Sequence, residues 1–174
     1  MSSVKQTIIE MLSDRGYVIT DNSVESMLLA KDSEFTNLIV LISHEEKLSI
    51  NSIKEYISDI KTLEKKIGEK IEKAIIVYKK CITASAKKVL SNISHIEIQE
   101  FNETQLHYNP THHKYYNPHE KIEGDEFNNI KKQYGTKLPI ILSTDPITRY
   151  FNFKKGDIIR ITRKNNIIAY RIVR

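Results

Sequence analysis

The chain has 174 residues, 40% of them hydrophobic, which is enough for one compact domain or two small ones and too much for a chain unfolded throughout. A formal net charge of +5 and a pI near 9.1 favour an acidic partner such as nucleic acid, although a modestly basic soluble protein would read the same way. The single cysteine, Cys81, excludes an internal disulfide, no apolar run approaches the roughly 20 residues of a membrane span, and Met1–Lys5 lacks the apolar core of a signal peptide, so a soluble intracellular protein is expected.

Val4, Ile8, Met11 and Leu12 recur at helical spacing, and Gly16 is a natural helix stop. Tyr17 to Thr20 then reads as a strand. Asp21 to Glu34 predicts a second helix, with Val24, Met27 and Leu28 on one side and Asn22 or Ser23 as its cap. Leu38-Ile39-Val40-Leu41-Ile42 is a β-prone run without alternation, the pattern of a central strand covered on both faces. From Ile50 through Ile53, Ile57, Ile60 and Leu63 to Ile67 the steps of three and four fit only a helix, which Gly68 ends. Ala74 to Tyr78 is a second covered strand. Cys81 lies beside apolar residues and is expected buried and inert. Thr83 or Ser85 caps a further helix to Leu90, and Ile96, Ile98 and Phe101 alternate imperfectly along a last strand. This strand–helix–strand–helix–strand order predicts parallel pairing with right-handed crossovers, a βαβαβ core within an α/β domain over residues 1–104.

Residues 102–123 hold two prolines, four of the six histidines and no periodicity, and read as a connection that opens a second domain, 105–174. Glu126 to Tyr134 predicts a short helix. A brief strand is expected beside Pro139, followed by a helix after Pro146 with Thr144 or Asp145 as cap. Gly156 turns the chain into a strand from Asp157 to Arg163, and Asn165-Asn166 tolerates the positive φ of a two-residue hairpin. With that loop, Ile159 and Ile161 share a face with Ile168, Tyr170 and Ile172, while Arg160 and Arg171 oppose each other on the other face. A loop longer by one residue would set Arg171 beside Ile159, so the shorter loop is expected. The second domain is thus a small α+β unit ending in a β-hairpin.

The blocks Leu138-Pro139-x-Ile141, Asp145-Pro146-x-x-Arg149-Tyr150-Phe151, Lys155-Gly156-Asp157-x-Ile159-Arg160-Ile161-x-Arg163 and Tyr170-Arg171-Ile172-Val173 resemble the assembly domain of the fifth subunit shared by eukaryotic RNA polymerases. The archaeal RNA polymerase counterpart resembles that domain alone. Asp14-Arg15-Gly16-Tyr17, Ile53-Lys54-x-Tyr56, Ala74-Ile75-Ile76-Val77 and Thr83-Ala84-Ser85-Ala86-Lys87 resemble the same family's jaw domain. This chain departs from the pattern in three places: the hairpin loop between Arg163 and Tyr170 is shorter, the segments before Leu38 and between Ser43 and Ser49 are trimmed, and Ala84 replaces a proline.

The resemblance implies a non-catalytic subunit of a multisubunit DNA-directed RNA polymerase. In that reading the assembly domain docks on the largest subunit, beside neighbouring small subunits, through Asp145, Pro146, Arg149, Tyr150, Gly156, Arg160, Arg163, Tyr170 and Arg171. The jaw, a restriction-nuclease-like sheet, flanks downstream duplex DNA without reading its sequence, through Lys79, Lys80, Thr83, Ala84, Ser85, Lys87 and Lys88. A cellular member would be nuclear, whereas a compact version encoded by a large DNA virus would work in a cytoplasmic factory or virion. The alternative is a free-standing DNA-binding protein or an inactive nuclease-fold module.

No catalytic, metal or cofactor site is legible. His107, His112, His113 and His119 match no metal-finger spacing and lack a second cysteine, so they are expected to hydrogen-bond a loop. A nuclease would need acids and a Glu-x-Lys on adjacent strand ends, but Leu38–Ile42 and Ala74–Tyr78 contain no acid and Glu97-x-Gln99 is the nearest approach. The five glycines form no phosphate loop.

Overall fold

The computed structural model describes residues 3–174, which fall into two compact units, the first ending at Tyr108 and the second Asn109–Arg174. In the first unit, helix α1 (Ser3–Asp14) buries Val4, Ile8, Met11 and Leu12, and Gly16 turns the chain at a φ of 82°. Strands β1 (Val18–Asp21), β2 (Met27–Lys31) and β3 (Asn37–Ile42) follow as an antiparallel meander.

The helix expected over 21–34 is therefore absent, and β2 lies there. Leu28 and Ala30 are buried while Met27, Leu29 and Lys31 are half-buried, an alternation of period two that pairing with β3 rewards over the full strand. The turn that makes this possible is local. The Asp32 carboxylate accepts from the amides of Glu34 and Thr36 and lets Phe35 sit at a φ of 62°.

After β4 (Lys47–Leu48), helix α2 (Ile50–Ile67) starts where Ser49 accepts from the Ser52 amide and stops at Gly68, whose φ of 76° lets its amide reach the Glu64 carbonyl. Then come β5 (Lys73–Tyr78), β6 (Cys81–Ile82), α3 (Ala84–Ser91) and β7 (Glu97–Asn102). The sheet order is β1-β2-β3-β5-β7, with β3, β5 and β7 parallel. Strand β3 is central and covered on both faces, as its unbroken apolar run predicts. Ile39 and Leu41 cluster with Ile60, Ile71 and Ile96, while Leu38 and Val40, out of phase with them, are equally buried on the other side. Arg15, just past α1, donates to Gln99, which lies in register with Ile75 and Val40 and so places α1 on that other side. Each fully buried isoleucine stabilises the fold by about 1.5 to 3 kcal/mol.

Cys81 is exposed, not buried. It lies on the two-residue strand β6, where Ile82 turns inward and its neighbour turns out.

The second unit orders four strands as β8-β10-β11-β9, with β8 His119–Lys121, β9 Ile140–Ile141, β10 Ile158–Thr162 and β11 Ile168–Val173. Residues 119–121 are thus a strand within the stretch expected to be a connection, because the β10 edge offers them a ladder. Residue 104, the expected end of the first domain, lies within a 3-10 turn, Glu103–Leu106, that buries Leu106 in the first unit. Helix α4 (Gly124–Tyr134) and the short helix α5 (Pro146–Tyr150) complete the second unit. At the start of α5, Asp145 accepts from the Ile147 and Thr148 amides and Pro146 occupies a position that needs no donor.

The hairpin register differs from expectation. Ile159 pairs with Arg171, Arg160 with Tyr170 and Ile161 with Ala169, and Arg163 donates to the Ile167 carbonyl across a three-residue loop, Lys164–Asn166. Asn165 and Asn166 do adopt positive φ, 64° and 58°. The longer loop wins because both faces of this sheet are covered. Ile159, Ile161 and Val173 cluster with Ile141 on one face, and Ile158 clusters with Ile122, Ile130 and Leu138 on the other, with Tyr170 and Ile172 packed against it. The assumption of a single buried face was the error.

Candidate nucleic-acid and subunit interfaces

At the start of α3 the chain leaves the small parallel ladder of β4 and β6, and Thr83 takes an extended backbone with its hydroxyl accepting from the Ala86 amide. Thr83 is therefore the cap, and Ser85 is left exposed beside Ala84. Ala86 is fully buried and faces the core with Leu48, Ile53 and Leu90. Close approach of a phosphate to this turn would thus pass Ala84 and Ser85 but not Ala86.

The lysines around the turn are not equivalent. All four are exposed, but Lys80 is 2.8 Å from Glu46 and Lys87 is 2.9 Å from Glu100. Asn102, at the end of β7, donates to the carbonyls of Lys79 and Lys80 and holds the turn in place. The arrangement suits sequence-independent contact with a phosphate backbone, because it presents cations and helix-start amides but no planar side chains aimed at base edges.

In the second unit, the residues singled out as an interface divide into two sets. Pro146, Gly156 and Arg163 are exposed, while Asp145, Arg149 and Arg171 are half-buried. Tyr150 is only 2% exposed and stacks edge-on against Phe151, so it supports the surface from within. Arg160 is held by Glu126 at 3.2 Å and by Glu120, and Tyr170 donates to the same Glu126 at 3.1 Å. The Glu120 hydrogen bond, with the charges of Glu126 and Glu120, raises the Arg160 pKa further, and burial followed by the Glu126 hydrogen bond raises that of Tyr170.

Arg160 and Arg171 do not oppose each other. Arg160 stands opposite Tyr170, and Arg171, one residue out of phase, points from the opposite face of the sheet and donates to the Ile140 carbonyl at 3.0 Å. A partner's acid is not needed to explain why the chain keeps both.

His113 and His119 engage their own loop. His119 Nδ1 donates to the Asn117 carbonyl at 2.6 Å and its ring stacks on Tyr116, while His113 packs beside Tyr115. Burial lowers the His119 pKa, against the Asn117 hydrogen bond that raises it. Among the described residues no group of three His, Cys, Asp or Glu side chains is placed to hold a metal ion. Glu97 is exposed on β7, consistent with an outer-face role, and Gln99 accepts from Arg15 at 2.9 Å.

A cavity of 570 Å³ that periodicity could not reveal lies in the first unit between α2 and the start of β2, lined by Met27, Leu41, Leu63, Tyr56, Asp59 and Lys66. Burial raises the Tyr56 pKa, opposed by a Ser43 hydrogen bond and reinforced by Glu45, Glu55 and Asp59. The only hint in the sequence was Tyr56 on the otherwise charged flank of an isoleucine-rich helix.

Residues 108–173 match the family described as RNA polymerase Rpb5, C-terminal domain. Over 192 residues the chain is 28% identical to the DNA-directed RNA polymerases I, II, and III subunit rpabc1 of Dictyostelium discoideum, covering 97% of this chain and 94% of that protein. It is 28% identical over 188 residues to the DNA-directed RNA polymerase subunit 5-like protein 1 of Arabidopsis thaliana, with 93% and 88% covered. It is 25% identical over 203 residues to the subunit RPABC1 of Caenorhabditis elegans, with 98% and 93% covered. Among solved structures, EndoMS in its apo form overlays 59% of this chain and 46% of that one at 14% identity and a TM-score of 0.43, too slight a likeness to carry an argument.

Proposed function

We propose that this chain belongs to the family of the fifth subunit shared by eukaryotic RNA polymerases and serves as a non-catalytic subunit of a multisubunit DNA-directed RNA polymerase. The observation that carries the reading is coverage. The relatives align along both units of this chain nearly end to end, and the family match coincides with the self-contained second unit.

In this reading the second unit docks on the largest subunit, next to neighbouring small subunits, through the surface that holds Asp145, Pro146, Arg149, Gly156, Arg163 and Arg171. Tyr150, Arg160 and Tyr170 shape that surface from behind. The first unit lies beside downstream duplex DNA and meets its phosphates at the start of α3, where Thr83, Ala84 and Ser85 present the turn and Lys79, Lys80, Lys87 and Lys88 are its exposed cations, Lys80 and Lys87 in ion pairs. The internal pairing of Lys80 and Lys87 supports a weak contact.

Nuclear function accords with the eukaryotic relatives, and the shortened loops would equally suit a viral polymerase assembled in cytoplasm. Affinity purification of the native, tagged chain tests the whole reading. The two large catalytic polymerase subunits should co-purify in stoichiometric amount, and their identity would fix the host polymerase. Recovery of the chain alone, as a monomer, would overturn it in favour of a free-standing protein.

A further inference from the structure

The sheet of the first unit is covered unequally on its two faces. On the α1 side of β2, Leu28 and Ala30 are 0% and 2% exposed, whereas on the other side Met27 and Leu29 are only half-buried against α2. Val18, which pairs with Lys31 and so lies on that second side, is 71% exposed. The reason is spacing. Strands repeat at about 4.8 Å and packed helices at about 8 to 10 Å, so α2 and α3, which share this side, cover about four strands of a five-stranded sheet. Among the described residues, β1 and the outer flank of β2 are left without a helix there.

The 570 Å³ cavity beside Met27, Leu41 and Leu63 is the inner part of that gap. Along its helical wall, Tyr56, Asp59, Leu63 and Lys66 form one stripe of α2, about 15 Å long at about 1.5 Å per residue, close to three helical turns. Val24, which also lines it, is 45% exposed. The result is an open groove with an apolar floor.

Helix α2 sorts its charges around this groove. Lys54, Lys61 and Lys65 recur at helical spacing on the solvent side, whereas Glu55 and Asp59, one turn apart, stand on the flank toward the groove. No lysine of α2 lies three or four residues from either acid, so the pair repels itself along the helix without local relief. Burial raises the Tyr56 pKa against the Ser43 hydrogen bond, and the charges of Glu45, Glu55 and Asp59 raise it further, which sets three carboxylates around this ring. Glu45 already accepts from the Ser52 hydroxyl at 2.6 Å. Glu55 and Asp59 are exposed and enter no ion pair among the described residues. At the far end, the Lys66 charge adds to the Ser23 hydrogen bonds that lower the Asp21 pKa. The unanswered charge of the groove is therefore negative and sits at Glu55 and Asp59.

We propose that this groove receives an amphipathic helix of a partner protein, its apolar side laid on Met27, Leu29 and Leu63 and two lysines or arginines, one turn apart, set against Glu55 and Asp59. Such a helix has the width that the sheet leaves uncovered and the length of the stripe on α2. Its cations relieve the repulsion between the two acids, and the same acids repel nucleic acid and anionic lipid. The groove shares no residue with the turn at α3 proposed to meet DNA. The purified chain suffices to test it, whether or not the chain serves a polymerase.

The test titrates synthetic helical peptides of about 18 residues into the isotope-labelled full chain; they share one leucine stripe at helical spacing and differ only in carrying lysine, glutamine or glutamate on its flank. The lysine peptide should shift the amides of Met27, Tyr56, Asp59 and Leu63 and bind at least about tenfold more tightly than the glutamate peptide. E55K/D59K changes two exposed positions, so it should keep the fold, seen in undisturbed amides of β5 and β7, and reverse that preference. Equal affinity for the peptides, no binding by any of them, shifts confined to other elements, or a preference that E55K/D59K leaves unchanged overturns the proposal. So does occupation by a second copy of the chain, seen as concentration-dependent shifts of the same amides without peptide that Met27→Asp abolishes.

Discussion

Ile159 stands directly opposite Arg171 in the C-terminal hairpin, so the most deeply buried side chain of β10 and a cation share one face of the sheet. The face is apolar where Phe153 and Ala169 pack on it, and β11, the strand that carries Arg171, sends Tyr170 and Ile172 to the other core. Ile159→Ala should therefore cost about 2 to 4 kcal/mol in chemical denaturation. Ile168→Ala is the control. In the two-residue register Ile168 would belong to the core, but it is 52% exposed, and its truncation should stay within about 0.5 kcal/mol of wild type. Comparable losses at both positions would restore the shorter loop.

Phe35 occupies the left-handed region at a φ of 62° while 78% exposed, so its backbone bears steric cost with little burial in return. Asparagine tolerates that conformation far better. Phe35→Asn should raise stability by about 0.5 to 1 kcal/mol, read as a shift in the denaturation midpoint at constant m-value. A destabilisation would mean that the ring makes a contact worth more than the strain.

That same turn explains what could be read from the sequence and what could not. Elements whose signals are local and agree with their tertiary setting were legible: α2 between Ser49 and Gly68, α3 after Thr83, α5 after Asp145-Pro146, and the parallel strands β3 and β5 as unbroken apolar runs. Strand β2 was not, because Val24, Met27 and Leu28 fit a helical face and a phenylalanine is a poor turn signal. Only pairing with β3 selects the strand, and that is a long-range term. The hairpin register failed for a related reason. Alternation identifies one buried face, and a sheet covered on both sides offers two. Most of the residues marked for the interfaces do lie at the surface, but Tyr150 is interior, since a motif fixes which residues occur together and not which of them face outward.

The imidazole of His119 gives the second unit a pH dependence of known sign. Burial holds its pKa below the ordinary value of 6.5, with the Asn117 carbonyl and Asp145 opposing and Arg171 reinforcing. Between the lowered folded value and 6.5 the unfolded chain binds more protons than the folded one, so stability rises with pH in that window. The contribution is complete above pH 6.5 and is lost as pH falls through the folded pKa. The stability difference between wild type and His119→Gln should accordingly shrink or reverse on acidification from about pH 7.5 to about pH 5, in paired urea denaturations. A difference independent of pH would show that His119 titrates alike in both states.

Arg171 closes the β9 edge of the second sheet. Toward β11, the Pro139 and Ile141 carbonyls accept from the Ile172 and Arg174 amides at 2.9 and 3.0 Å. The Ile140 carbonyl between them points the other way, off the edge of the sheet, and the Arg171 guanidinium donates to it. Unpaired edge groups invite pairing with another chain, all the more where Ile140 and Leu142 are 48% and 61% exposed beside them. Arg171→Met keeps most of the apolar stem and removes the donor. The Ile172 and Arg174 amides should then exchange with solvent roughly 3- to 10-fold faster, the size expected for one partly exposed hydrogen bond to a charged group, while the global unfolding free energy changes little. Concentration-dependent self-association should rise as the edge is uncovered. Exchange rates equal to wild type, with no gain in self-association, would show that β9 is held by its ladder alone and that Arg171 is free for another contact.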